Sequence, residues 1–110
     1  SDVDDALALG LVVAHPEAFD LVAVTTVCGD TQLRARIAAR LLGLADRAHV
    51  DVCAGERAPL LRPESRFVWF GHETDPLPDG PDARLSDESA PERIVLRRST
   101  RDSNSSRSVR

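Results

Sequence analysis

Three carboxylates, Asp2, Asp4 and Asp5, stand within four residues directly ahead of the apolar pattern Ala6-Leu7-Ala8-Leu9. Carboxylates this close repel one another and lose hydration in a cleft, so a hard cation or a set of sugar hydroxyls is one natural way to keep them ionised there. A second description fits the same residues. Asp2 suits an N-cap with Asp5 three positions later, and an acidic first turn complements the helix dipole. Asp30 follows Gly29 at the mouth of another helical pattern, where a carboxylate can cap the helix or accept a hydrogen bond from a ligand hydroxyl. His72, in Gly71-His72-Glu73, suits proton transfer near neutrality and suits an ordinary loop hydrogen bond as well. Cys28 and Cys53 lie in apolar surroundings without CxxC spacing and read as buried thiols. No GxGxxG or Walker loop is present, which argues against a nucleotide cofactor.

The elements that must position these residues follow from periodicity. From Val3 to about Ala14, Val3, Leu7, Leu11 and Ala14 fall near helical spacing, and Leu9, Val12 and Val13 widen the apolar surface. A largely buried helix is expected, ending near Pro16. Leu21 to Val27 is a nearly continuous β-branched run ending at Gly29, as for a strand of a parallel sheet buried on both faces. Asp30 or Thr31 then caps a helix whose Leu33, Ile37, Leu41 and Leu44 form a stripe packed on the sheet, leaving Arg34, Arg36, Arg40 and Arg47 to face water. His49 to Gly55 supplies a shorter strand. Strand, helix and strand together have the length of a βαβ unit.

Beyond Gly55 the pattern weakens. Gly55 to Pro63 reads as a loop, and Phe67-Val68-Trp69-Phe70 is a brief apolar segment. Pro76, Pro78, Pro81 and Pro91 among aspartates and small polar residues give residues 75–92 the composition of a loop or linker. Ile94-Val95-Leu96 is too short to specify an element. Residues 97–110 carry five arginines against one aspartate, a local net charge of +4, and read as a disordered tail. The expected organisation is a partial α/β domain over residues 1–73, followed by a proline-rich loop and an arginine- and serine-rich tail over residues 74–110.

At 110 residues the chain suffices for one small domain, whereas an α/β sheet covered on both faces usually needs more. The sequence lacks an initiator methionine and opens in what reads as the end of a loop, so an upstream element is expected to be missing. A net charge of −4 and a pI near 5.3 give no general pull toward nucleic acid or anionic membrane, and favour a small ligand. No apolar run is long enough to span a bilayer. Two cysteines are too few for a disulfide-built scaffold, and cytoplasm is the expected compartment.

The chain resembles the inosine-uridine preferring nucleoside hydrolase family. The resemblance rests on Asp4-Asp5-Ala6-Leu7-Ala8-Leu9, Val24-Thr25-Thr26-Val27-Cys28-Gly29-Asp30, Val52-Cys53-Ala54-Gly55 followed by Pro59-Leu60, and more loosely Gly71-His72-Glu73. It implies a truncated portion of an open, mainly parallel-sheet α/β fold that binds Ca²⁺ and the ribose of a ribonucleoside at the carboxyl ends of its strands. By that resemblance Asp4 binds a ribose hydroxyl, Asp5 ligates calcium, Asp30 stands where the family has a sugar-holding asparagine, and His72 lies near the nucleoside. Asp2 is an additional acidic residue whose role does not transfer. The implied reaction is hydrolysis of the N-glycosidic bond to free base and ribose. The family's general base precedes Ser1, so a noncatalytic fragment or interaction segment is the alternative. Oligomers formed through missing parts of the family fold would cover exposed apolar surface.

Overall fold

The computed structural model describes residues 3–59, 61 and 79–96. Four elements follow in order: α1 (Val3–Ala14), β1 (Ala23–Thr26), α2 (Thr31–Leu44) and β2 (Asp51–Ala54). The expected order of helix, strand, helix and strand is therefore present, with strands shorter than the apolar runs. β1 and β2 pair in parallel, with Ala23 opposite Asp51 and Thr26 opposite Ala54. The architecture is α/β, an open parallel sheet flanked by helices. Among the described residues no helix is long and apolar enough to cross a membrane.

Helix α2 shows how local chemistry sets its limits. Asp30 caps it, accepting the Leu33 N–H at 3.0 Å. At the other end Asp46 adopts a left-handed φ of 58°, and Arg47 N–H bonds to Leu42 O while Asp46 N–H bonds to Gly43 O. That pattern is a Schellman closure, which satisfies carbonyls the helix would leave open. Thr31, Ala35, Ala38, Ala39 and Leu42 are the buried residues of this helix, a stripe at helical spacing.

This burial corrects the expected leucine stripe. Leu41 and Leu44 are exposed and Leu33 and Ile37 only half-buried, whereas small residues face the core with Val50, Val52 and Ala83. The reason is distance: alanines let α2 approach neighbouring backbone, as where Ala83 N–H reaches Ala39 O, while Ile37, Leu41 and Leu44 line cavities shared with α1. The arginines are corrected as well. Arg34 and Arg40 are half-buried and hydrogen-bonded within the protein, while Arg36 is exposed.

Helix α1 is not largely buried. None of its residues is buried, and Val3, Leu7 and Leu11 are 68%, 70% and 58% exposed. Its Leu9 and Val13 pack against the core, so the described residues cover one side of the helix only. Hydrophobicity marks surface that can be buried without stating what covers it. Likewise β1 is not buried on both faces: Thr25 is exposed and its neighbours are half-buried, whereas β2 is buried from Asp51 to Cys53. Cys53 is the buried thiol expected, but Cys28 is half-buried; both are free.

Residues 79–96 return to the domain. Leu85 forms a parallel bridge with Val52, so β2 lies between β1 and this segment. Val52 N–H donates to Arg84 O at 2.9 Å and Ser86 N–H to Val52 O at 2.8 Å. Ala83 N–H bonds to Ala39 O at 2.8 Å, and Asp82 takes a forked pair from Arg40 at 2.5 and 3.1 Å. Residues 90–96 are helical, so Ile94-Val95-Leu96 belongs to an element its length does not reveal. A capping box opens that helix: Ser89 N–H donates to Glu92 Oε2 at 3.1 Å, and Glu92 N–H points back to Ser89 Oγ at 3.5 Å. Arg93 joins the buried carboxylate of Asp51 to Glu88, fastening the helix to the start of β2.

Gly43 makes the docking of this segment possible, because a Cβ there would lie 2.1 Å from Pro81 O. In Gly43→Ala the gain in helix propensity is about 0.8–1.0 kcal/mol. Overpacking against backbone costs about 1–3 kcal/mol, so net destabilisation is expected. Urea unfolding together with faster exchange of the Ala83 amide would register it; equal or greater stability would contradict the packing described.

The Asp82 carboxyl lies below its ordinary pKa, chiefly because Arg40 donates hydrogen bonds to it; desolvation opposes the shift, and Arg40's charge adds to it more weakly. A carboxylate lowered on folding contributes stability that is fully present above the unfolded value of about 4 and is lost as pH falls through the folded value. Acidification below that range is expected to speed exchange of the Ala83 amide. Asp82→Asn should remove this acid-dependent step, and an unchanged acid response in the variant would count against the pair.

Candidate functional site

The carboxyl ends of two parallel strands lie on the same edge of their sheet, and in open α/β folds that edge binds ligands. Here β1 leads into Val27-Cys28-Gly29-Asp30, and β2 into Gly55-Glu56-Arg57. Cys28 and Gly29 both take left-handed φ values, 67° and 69°. Such a conformation is uncommon for a residue with a side chain and persists where surrounding bonds hold it. Those bonds are present. Cys28 N–H donates to Glu56 O at 2.9 Å, Gly29 N–H to Arg57 O at 3.1 Å, and Gly55 N–H to Thr26 O at 2.8 Å. Gly55 permits the approach, since a Cβ there would lie 2.4 Å from Thr26 O.

The turn is also fastened to α2. Thr26 Oγ1 donates to Thr31 O at 2.9 Å, and Arg34 Nη1 donates to Val27 O at 3.0 Å. The Arg34 guanidinium lies against Gly29, its Nη2 being 3.5 Å from where a Cβ would stand. Arg34 was missed as a site residue when read as facing water. A signal was available, however: a cation early in a helix opposes the macrodipole, and such a placement implies another task for the side chain.

A cavity of about 290 Å³ opens beside this turn. Asp5, Ala6 and Leu9 of α1, Val24 to Val27 along β1, and Arg34, Ile37, Ala38 and Leu41 of α2 line it. It therefore combines one carboxylate and one guanidinium with aliphatic walls, the mixture expected of a small-ligand site. Asp5 is brought to the cavity, whereas Asp4 and Asp30 are not among the lining residues. Asp4 and Asp5 are exposed in the first turn of α1, and Asp4 Oδ1 accepts the Asp5 N–H at 3.0 Å. Asp30 performs the capping role open to it from sequence. Asp2 and His72 lie outside the described residues, as does Phe67 to Phe70.

Calcium takes six to eight oxygen ligands. Among the described residues no group of three or more His, Cys, Asp or Glu side chains converges as a metal site. These residues therefore do not assemble a calcium shell by themselves, although Asp5 offers a carboxylate at the cavity.

Comparison with known proteins supplies the family. The model of the inosine-uridine preferring nucleoside hydrolases matches residues 1–106, further along the chain than the motifs through residue 73. An uncharacterized protein of Schizosaccharomyces pombe, C1683.06c, is 43% identical over 61 residues, which cover 54% of this chain and 19% of that protein. The matched region thus spans about a fifth of that relative's length. No solved structure matches the chain significantly. With the family model covering nearly all of its length, the chain belongs to the inosine-uridine preferring nucleoside hydrolase family.

Proposed function

We propose that this chain carries part of a site that hydrolyses the N-glycosidic bond of ribonucleosides to free base and ribose. The observation that carries the reading is the placement of Asp5 at a cavity beside the carboxyl end of β1, in a chain whose family is defined by that chemistry. Asp4 accepts hydrogen bonds from ribose hydroxyls, and Asp30 does so from the turn while its Oδ1 caps α2. Negative charge from such carboxylates stabilises positive character developing in the ribose ring as the bond to the base breaks. Arg34 and the left-handed turn fix the strand end against which the sugar lies. Asp5 is the residue that would contribute to holding Ca²⁺, completed by oxygens from outside the described set.

Glycoside hydrolysis needs its nucleophile, sugar and charge-stabilising groups positioned together, and loss of that arrangement forfeits many orders of magnitude in rate. The 110-residue chain alone is therefore expected to show no appreciable turnover, and to bind calcium no tighter than about 1 mM. The test follows ribose release from inosine and uridine with excess Ca²⁺, for this chain and for a homologous chain of full family length. The longer chain should be active and lose about 10²-fold or more when the aspartate corresponding to Asp5 becomes alanine, as expected for removal of a preorganised charge. Metal-dependent release by the 110-residue chain that disappears in Asp5→Ala would contradict the reading of an incomplete site.

A further inference from the structure

The helical residues 90–96 reach β2 at two separate places. At the start of the strand the Arg93 guanidinium pairs with the buried Asp51 carboxylate, and Glu88 Oε2 accepts from Arg93 Nη1 at 3.1 Å. Just past the end of the strand, the methyl carbon of buried Ala90 lies 3.1 Å from where a Gly55 Cβ would stand. Asp51 to Gly55 spans roughly 13 Å of extended chain, whereas Ala90 and Arg93 stand three apart and share one face of their helix. The second contact leads to the candidate site. Gly55 N–H donates to Thr26 O at 2.8 Å, and the two residues after it, Glu56 and Arg57, accept from Cys28 and Gly29. The left-handed φ of Cys28 is a state that surrounding bonds must maintain. A shift of Gly55 therefore moves the carbonyls on which the turn depends.

We infer that Arg93 is a positioning residue for the turn after β1. Its pairing with Asp51 fixes the helix, the helix seats Ala90 against Gly55, and Gly55 sets Glu56 O and Arg57 O where the Cys28 and Gly29 N–H groups meet them. None of residues 90–96 lines the cavity that holds Asp5, so the helix acts from behind the strand edge and holds the turn without touching a ligand there. The bearing of this on sugar binding rests on the hydrolase reading above. The holding of the turn does not, and it is measured with no ligand present, so either can fail alone. A purely structural role for Arg93 makes a different prediction: breaking a buried ion pair leaves a charge uncompensated and lowers the stability of the whole fold, with protection lost everywhere together.

Amide hydrogen exchange followed by NMR in the 110-residue chain, with buried Leu42 of α2 as internal reference, separates the two. Arg93→Gln and Ala90→Gly are each expected to speed exchange at Cys28 and Gly29 by about fivefold or more relative to Leu42, the signature of local opening. Arg93→Lys keeps a cation beside Asp51 without the planar fork, and should give a smaller rise than Arg93→Gln. Ala90→Gly leaves the Arg93–Asp51 pair in place and decides alone if Arg93→Gln does not fold. Equal rises at the turn and at Leu42, a turn unchanged in Ala90→Gly or in folded Arg93→Gln, or a rise in Arg93→Lys as large as in Arg93→Gln would overturn the proposal.

Discussion

Both edges of β2 are occupied, and this constraint organises the rest of the described chain. On one edge it pairs in parallel with β1, and on the other Val52 bridges Leu85. Four residues cannot hold two neighbours unless their own face is covered, and α2 covers it with alanines and Leu42. Small side chains give up contact area per residue but bring backbone close enough for Ala83 N–H to reach Ala39 O. Close packing of this kind makes volume at Gly43 and Gly55 matter as much as hydrophobicity elsewhere.

The same pairing builds the candidate site. Because β1 and β2 run in parallel, their following loops meet on one edge, where two backbone hydrogen bonds tie the Cys28-Gly29 turn to Glu56 and Arg57 and a third joins Gly55 to Thr26. Arg34 fastens that turn to α2, and the start of α1 brings Asp5 to the adjoining cavity. Position at the edge therefore depends on β2, while the charged side chains that line the cavity, Asp5 and Arg34, come from α1 and α2.

Element order was legible in the sequence because apolar periodicity changes between helix and strand at each boundary, and Asp30 announced the start of α2. The buried face of α2 was less legible. Ala35, Ala38, Ala39 and Leu42 share the pitch of the leucine stripe, and size alone favoured the wrong one. The exposure of α1 depends on what lies over it, which periodicity cannot encode. Residues 79–96 dock through backbone hydrogen bonds, a glycine and ion pairs, features hidden by a proline-rich composition. At the cavity, Asp5 belongs to a motif visible in the sequence, whereas Arg34 is brought there by the fold that surrounds it.

The central claim is that the start of α1 and the turn after β1 form one sugar-binding edge. Backbone amide spectra recorded while ribose or inosine is added at millimolar concentration, with and without Ca²⁺, test it directly. The account predicts weak shifts confined to Asp4, Asp5 and the Val27 to Asp30 turn, diminished in Asp4→Ala. Shifts centred elsewhere, or none with either ligand, would contradict it.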